Sequence, residues 1–387
     1  MRSTLYGRRL KMEKSKRELE LYIHIPFCMR KCEYCDFLSG PASTARQKEY
    51  VEALCKEIQS SIGYEEYAVC SIFFGGGTPS VLSGERIAQI MEAIYHRFLV
   101  LEDAEISLEA NPGTVTLDKL LQYRNAGINR ISFGCQSTDN KELKLLGRIH
   151  TWEEFLESFA MAREAGFTNI NVDLMSGLPE QSLQTWENSL NKVAKLNPEH
   201  ISAYSLIIED GTPFAECNFN LPDEEEERQM YENTAMILEK YEYHQYEISN
   251  YAKKGYECRH NCGYWKRKEY LGLGLGSASL IKETRFCNTS DMEFYLKFSN
   301  EPSKLREDLQ ALSIKEQMEE FMFLGLRMLE GVSEKEFLNK FGETLESVYG
   351  SVIKKYVNLG LLEWRADSLC LTRSGISVSN QIFADFL

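Results

Sequence analysis

The chain has no apolar run of the ~18–20 residues that a membrane-spanning helix requires. It has no excess of positive charge either: 44 Lys and Arg stand against 58 Asp and Glu, a net charge of −14 over 387 residues. Nucleic-acid binding wants a basic stripe, so this balance argues against it, while a local basic pocket for an anion stays open. No long polar low-complexity tract is present, and aromatics reach 11%, which excludes a mainly disordered chain. A secretory leader is missing: Met1 to Glu20 is rich in Arg and Lys, with no apolar stretch before Leu21. That segment is expected to be a basic arm over residues 1–20, with Met12 an alternative first residue, on a cytoplasmic protein. The 11 cysteines are odd in number and follow no leader, so a disulfide framework is not expected.

The length implies two or three domains, or one large barrel with an appendage. Strand-like and helix-like segments alternate: Glu20–Pro26, Val69–Phe74, Glu105–Glu109, Arg130–Phe133, Asn169–Met175 and His200–Ile207 read as strands. Ala45–Ser61, Ser83–Phe98, Leu117–Ala126, Thr151–Ala165 and Leu183–Leu196 read as helices between them. Such alternation predicts an α/β fold with a parallel sheet over residues 21–220, doubly wound or an incomplete barrel. Residues 221–302 read as a flanking segment, helical from Asp223 to Tyr241 and loop-rich to Leu280. Pro302 marks an expected linker, and 303–387 reads as a smaller helical unit with a hairpin, in an order that resembles a winged helix.

Polar and glycine-rich motifs follow each strand. After the first come Cys28, Cys32 and Cys35, in Tyr22-Ile-His-Ile-Pro-Phe-Cys28-Met-Arg-Lys-Cys32-Glu-Tyr34-Cys35. After the second comes Gly75-Gly76-Gly77-Thr78-Pro79; then Glu109-Ala-Asn111, Gly134-Cys135-Gln136, Asp173 within the fifth strand, and Tyr204 with Glu209 beyond. Parallel α/β folds assemble their sites at this edge from several loops at once. Soft thiolates select zinc or iron–sulfur centres. A structural zinc site wants four ligands, and no fourth Cys or His follows at the usual spacing. Three thiolates instead suit a cubane with one iron left open. Cys55, Cys70, Cys217, Cys287 and Cys370 are scattered and read as idle or buried thiols.

CxxxCxxC directly after a strand resembles the signature of the radical S-adenosylmethionine superfamily. The wider YIHIPFC string is similar to the branch that holds oxygen-independent coproporphyrinogen III oxidase and the HemW heme chaperones. The resemblance implies a partial (β/α)6, TIM-like barrel and a 4Fe–4S cluster on Cys28, Cys32 and Cys35. It implies S-adenosylmethionine on the open iron, whose reductive cleavage gives a 5′-deoxyadenosyl radical, and hence an electron donor. By motif matching, Tyr22, Tyr34, Gly76, Gly77, Thr78 and Glu109 would contact S-adenosylmethionine. Gln136, Arg148 and Asp173 match positions around a second such molecule. The glycine run would bring open backbone groups close to that ligand.

Two departures separate the relatives. The oxidase branch carries a further cysteine where Phe37 stands here, and a longer segment ahead of the cluster motif. His260-Asn261-Cys262-Gly263-Tyr264-Trp265 matches the HNxxYW motif that the chaperone branch associates with heme. An imidazole can ligate heme iron, and Tyr and Trp can pack on the macrocycle. His260, Asn261, Tyr264 and Trp265 are thus the expected heme-binding residues, with Cys258 and Cys262 alternative ligands. The resemblance implies a heme chaperone that hands heme to an acceptor protein, touching a membrane only through that acceptor. The alternative is an enzyme, a coproporphyrinogen dehydrogenase-type oxidoreductase that decarboxylates two propionates.

Overall fold

A computed structural model describes residues 16–387 and the backbone of Arg9 and Leu10; residues 1–8 and 11–15, most of the expected basic arm, lie outside the described residues. Strands β1 (Arg17–Ile25), β2 (Tyr67–Gly76), β3 (Val100–Ala110), β4 (Arg130–Gln136), β5 (Ile170–Ser176) and β6 (His200–Ser205) lie side by side in chain order, all parallel. Helices α1 (Thr44–Ser60), α2 (Gly84–Arg97), α3 (Leu117–Ala126), α4 (Trp152–Glu164) and α5 (Leu183–Lys195) connect them, and α6 (Glu224–Glu239) follows. The connecting helices start where Ser43, Ser83, Thr116, Thr151 and Ser182 accept a hydrogen bond from a first-turn N–H that the helix itself leaves unpaired. The α/β class and the partial (β/α)6 barrel expected from the sequence are what the chain adopts.

Side chains along a strand face opposite sides in turn. Leu19, Leu21, Ile23 and Ile25 of β1, Ile106 and Leu108 of β3, and Ile170 and Val172 of β5 join one apolar core with the helices. The residues between them are polar and buried: Glu20, Ser71, Glu105, Arg130, Asn171 and His200. The barrel therefore has an apolar outer face and a polar interior.

The stretch expected to be loop-rich extends the sheet at both edges. β7 (His244–Glu247) and β8 (Asn250–Ala252) add antiparallel strands beside β6. After helix α7 (Arg259–Trp265), β9 (Tyr270–Leu273) pairs in parallel with β1, and β10 (Ala278–Ile281) and β11 (Thr284–Asn288) continue antiparallel. Strands this short carry too few residues for an alternation to register in sequence. After α8 (Met292–Phe298), the expected linker at Pro302 is a helical turn, Pro302–Leu305, that leads into β12 (Arg306–Ala311), paired with β11. Proline tolerates the first helical position because its missing N–H has no partner there, so here it continues the fold rather than breaking it. The smaller C-terminal unit comprises α9 (Ile314–Gly325), β13 (Val332–Ser333), α10 (Glu334–Phe341), α11 (Leu345–Asn358), β14 (Leu362–Arg365) and β15 (Ser368–Leu371). Its own core gathers Met322, Phe337, Leu345, Leu369 and Phe386 around a three-stranded sheet. No helix among the described residues is long and apolar enough to cross a membrane.

Candidate functional site

A cavity of about 410 Å³ opens at the C-terminal ends of the barrel strands. Cys28, Cys32, Tyr34 and Cys35 reach it from the loop after β1, and Gly76, Gly77 and Thr78 from the end of β2. Glu109, Gln136, Arg148 and Asp173 complete the expected set that lines it. Tyr22 does not: its hydroxyl is hydrogen-bonded to His24 Nδ1 (3.1 Å) behind the glycine run.

The three thiols are free and half-buried. Thr78 donates its hydroxyl toward Cys28 Sγ (3.5 Å), and Arg148 aims a guanidinium N–H at Cys32 Sγ (3.6 Å). Donors directed at sulfur favour the thiolate, the form that ligates metal. Burial pushes the Cys35 thiol up, and the neighbouring Cys32 and Cys28 add to this against a hydrogen bond from the Phe37 backbone. Among the described residues, no three His, Cys, Asp or Glu converge closely enough to share one metal ion. That arrangement does not suit a structural zinc. It suits a cubane, in which each thiolate takes a different iron.

The glycine run serves contact rather than donation. A Cβ on Gly76, at φ +105°, would stand 2.4 Å from the His24 ring, and one on Gly77 would stand 2.6 Å from the Phe27 carbonyl oxygen. The Gly77 and Thr78 N–H groups donate to the Ile25 and Phe27 carbonyls at 2.9 and 2.7 Å, and the Gly76 N–H to Glu109. The open N–H groups expected there are already engaged, because the run is zipped to the strand end that carries the cysteines.

Arg148 follows the short helix Asn140–Leu145, where Gly147 turns the chain at φ +72°. Its guanidinium bridges Asn111 Oδ1, the Gly134 carbonyl and Cys32, tying three loops together. Gln136, a non-glycine residue at φ +69°, accepts from the Tyr204 hydroxyl at 3.0 Å. Burial, with the nearby Asp173 charge second, pushes the Glu109 carboxyl up to about 8. Glu109, Asp173 and Arg148 line the same cavity, which thus offers acidic groups to a cationic part of a ligand and a guanidinium to an anionic one. Asn111 and Gly134, from the strand-end motifs, also line the cavity, as do Ser132 and Met175, which no motif marks. Ser132 is identifiable in retrospect as a polar residue at every-other-residue spacing from Arg130 and Gly134 on a buried strand.

The HNCGYW segment lies elsewhere. It forms α7, seated on the inward residues near the N-terminal ends of β1–β4. His260 is 1% exposed. Its Nδ1 is bonded to Ser71 Oγ (2.8 Å), its Nε2 to the Tyr264 hydroxyl (3.0 Å), and its ring stacks on Phe73. Burial, then the Arg130 charge, lowers its pKa to about 3, so the ring is neutral. The sequence suggests His260 as a heme ligand; in this arrangement both ring nitrogens are engaged, with Ser71 and Tyr264. The Cys258 and Cys262 thiols are no better placed: burial raises both, the latter to about 12, which keeps them protonated. Trp265 packs under the Arg327 guanidinium, 4.4 Å from its ring centre, and ties α7 to the C-terminal unit. The structure thus separates the expected heme residues from the thiol site.

Comparison with known proteins fits this geometry. A family model described as the radical SAM superfamily matches residues 22–193, and one described as the HemN C-terminal domain matches residues 312–378. The chain is 39% identical over 372 residues to a Bacillus subtilis protein named heme chaperone HemW, covering 95% of this chain and 98% of that one. An Escherichia coli protein of the same name is 36% identical over 373 residues, with 95% and 98% covered. In three dimensions the chain resembles the radical SAM enzyme coproporphyrinogen III oxidase (HemN) from Escherichia coli, with a TM-score of 0.83 at 24% identity over 96% of this chain and 90% of that chain. That last likeness is one of fold.

Proposed function

We propose, because the chain belongs to the HemW family of the radical S-adenosylmethionine superfamily, that it binds heme and passes it to an acceptor protein. The observation that carries this reading is a cavity that gathers three half-buried thiols, two half-buried carboxyls and Arg148 in a chain related over 95% of its length to proteins named heme chaperones. Cys28, Cys32 and Cys35 would hold the 4Fe–4S cluster. Glu109 would hold the polar end of S-adenosylmethionine, with Tyr34, Gly76, Gly77 and Thr78 shaping the wall, and Asp173, Arg148 and Gln136 would hold the second such molecule that the resemblance implies. When bound, the pair supplies one-electron reductive chemistry, which needs an external electron donor. The chain's own contribution is placement and exclusion of water. His260 is not offered as the iron ligand, since its ring is locked into the barrel. Location is proposed to be cytoplasmic, with the membrane met only through the acceptor.

The test pairs two assays on one anaerobic, cluster-loaded preparation. Heme titration should give a saturable Soret band, and the bound heme should move to an acceptor hemoprotein freed of its heme. Coproporphyrinogen should remain unconverted. Turnover to protoporphyrinogen at enzyme-like rates, or no saturable heme binding, would overturn the chaperone reading.

A further inference from the structure

The interior of the barrel holds a directed line of hydrogen bonds that neither the cluster loop nor the heme motif accounts for. It begins at the N-terminal edge of α7. The Cys258 backbone N–H donates to the Tyr246 hydroxyl at 3.2 Å. That hydroxyl is 2.8 Å from His200 Nε2. His200 Nδ1 is 2.6 Å from Asn171 Oδ1, an oxygen that also accepts from Ser202. Because Asn171 presents its oxygen, His200 Nδ1 carries the hydrogen, and Nε2 is the acceptor for Tyr246. Burial and the Arg130 charge keep His200 neutral, which this single-proton arrangement requires. Asn171 then donates from Nδ2 to Asp173 Oδ1 and to Ser132 Oγ, both at 2.7 Å. Ser132 donates onward to Asp173 Oδ2 at 3.1 Å. Both oxygens of the Asp173 carboxylate, which lines the cavity, are thereby held by groups anchored to the far end of the barrel.

The geometry points to Tyr246, His200 and Asn171 as positioning residues that fix the Asp173 carboxylate for the cationic end of S-adenosylmethionine, so that the seating of α7 at one end sets the affinity of the cavity at the other. The inference rests on the reading of the cavity as the S-adenosylmethionine site. His200 is held at one ring nitrogen by Tyr246 and at the other by Asn171, so removing the Tyr246 hydroxyl frees one side of the ring and weakens, through it, the hold on Asn171. Coupling of this kind is reciprocal: an occupied cavity holds α7 seated, and unseating α7 to bring out His260 loosens the cavity.

Equilibrium dialysis of S-adenosylmethionine against anaerobically reconstituted, full-length protein tests this, with the visible absorbance of the cluster recorded on the same samples. Tyr246→Phe keeps the ring and deletes the hydroxyl. It should weaken binding about fivefold, the equivalent of one lost hydrogen bond, with cluster absorbance unchanged. In an Asp173→Asn background the same change should alter binding by less than about twofold, since the charge being positioned is gone. Asn171→Ser, two links nearer the carboxylate, serves should Tyr246→Phe fail to fold, and should lose at least as much. Unchanged affinity in a folded, cluster-loaded single variant would overturn the relay. An equal fold-loss in both backgrounds would reduce these residues to structural support and overturn it too. A wild-type protein that binds no S-adenosylmethionine would instead overturn the reading of the cavity on which the relay rests.

Discussion

The two ends of the barrel are made from the same six strands and treat their polar groups in opposite ways. At the C-terminal end, the inward side chains leave a cavity of about 410 Å³ lined by half-buried thiols, a carboxyl raised to about 8 and the Arg148 guanidinium. At the N-terminal end the interior is filled. Glu105 accepts from the Arg259 and His260 N–H groups, Ser71 and Tyr264 engage both nitrogens of His260, and Gly263 lets α7 approach so closely that a Cβ there would stand 2.0 Å from the Glu20 carboxylate. Closely packed polar contacts rigidify a fold, whereas open space lined by convergent polar groups admits a ligand. The contrast supports the proposal of ligand binding at the first end, and it gives α7, which carries the HNCGYW segment, a packing role at the second.

The strongest way to break that contrast is His260→Ala. The change removes a buried ring and strands Ser71 and Tyr264, so it should lower stability by about 3 kcal/mol in urea unfolding, with heme affinity of the folded fraction retained. A loss below about 0.5 kcal/mol together with a vanished Soret titration would exchange the roles of the two ends. Glu109→Gln should act with the opposite sign. The Glu109 carboxyl is raised to about 8 in the fold from an ordinary 4.5, so the folded state holds a proton that the unfolded state releases. Wild-type stability therefore falls as pH rises from 4.5 through about 8, and the Gln variant escapes that fall. It should be the more stable protein by about 2 kcal/mol at mildly alkaline pH, with the gap closing in acid; a constant gap across pH would contradict the burial argument. The smallest effect belongs to Cys55→Ala, on a helix away from both ends. Stability should change by about 1 kcal/mol or less, with iron content after reconstitution unchanged.

Much of the mouth was legible because its signals are local. CxxxCxxC, GGGTP and the polar strand ends each occupy a few consecutive residues, and the strand–helix alternation places them along one edge. Tyr22 faces the lumen as its alternation with Glu20 and His24 implies, but it lies behind the glycine run with its hydroxyl on His24, a depth along the strand that the motif does not carry. The base was legible in principle: Glu20, Tyr22 and His24, or Arg130, Ser132 and Gly134, alternate with apolar neighbours, whereas a parallel strand buried on both faces reads as a continuous apolar run. That alternation signals a polar lumen needing a partner for its far end. The partner, α7, is only seven residues long and arrives from more than fifty positions beyond β6, so no local pattern links it to the barrel. The short edge strands β7–β12 escaped for a related reason: they are held by pairing with the existing sheet rather than by their own composition.

The central claim, that three thiols at the mouth hold a cubane, is tested most directly by iron and acid-labile sulfide content after anaerobic reconstitution. About four irons per chain are expected for the wild type, and close to none for Cys28→Ala, Cys32→Ala or Cys35→Ala. Full iron in any one of the three variants, or zinc without iron in the wild type, would contradict it.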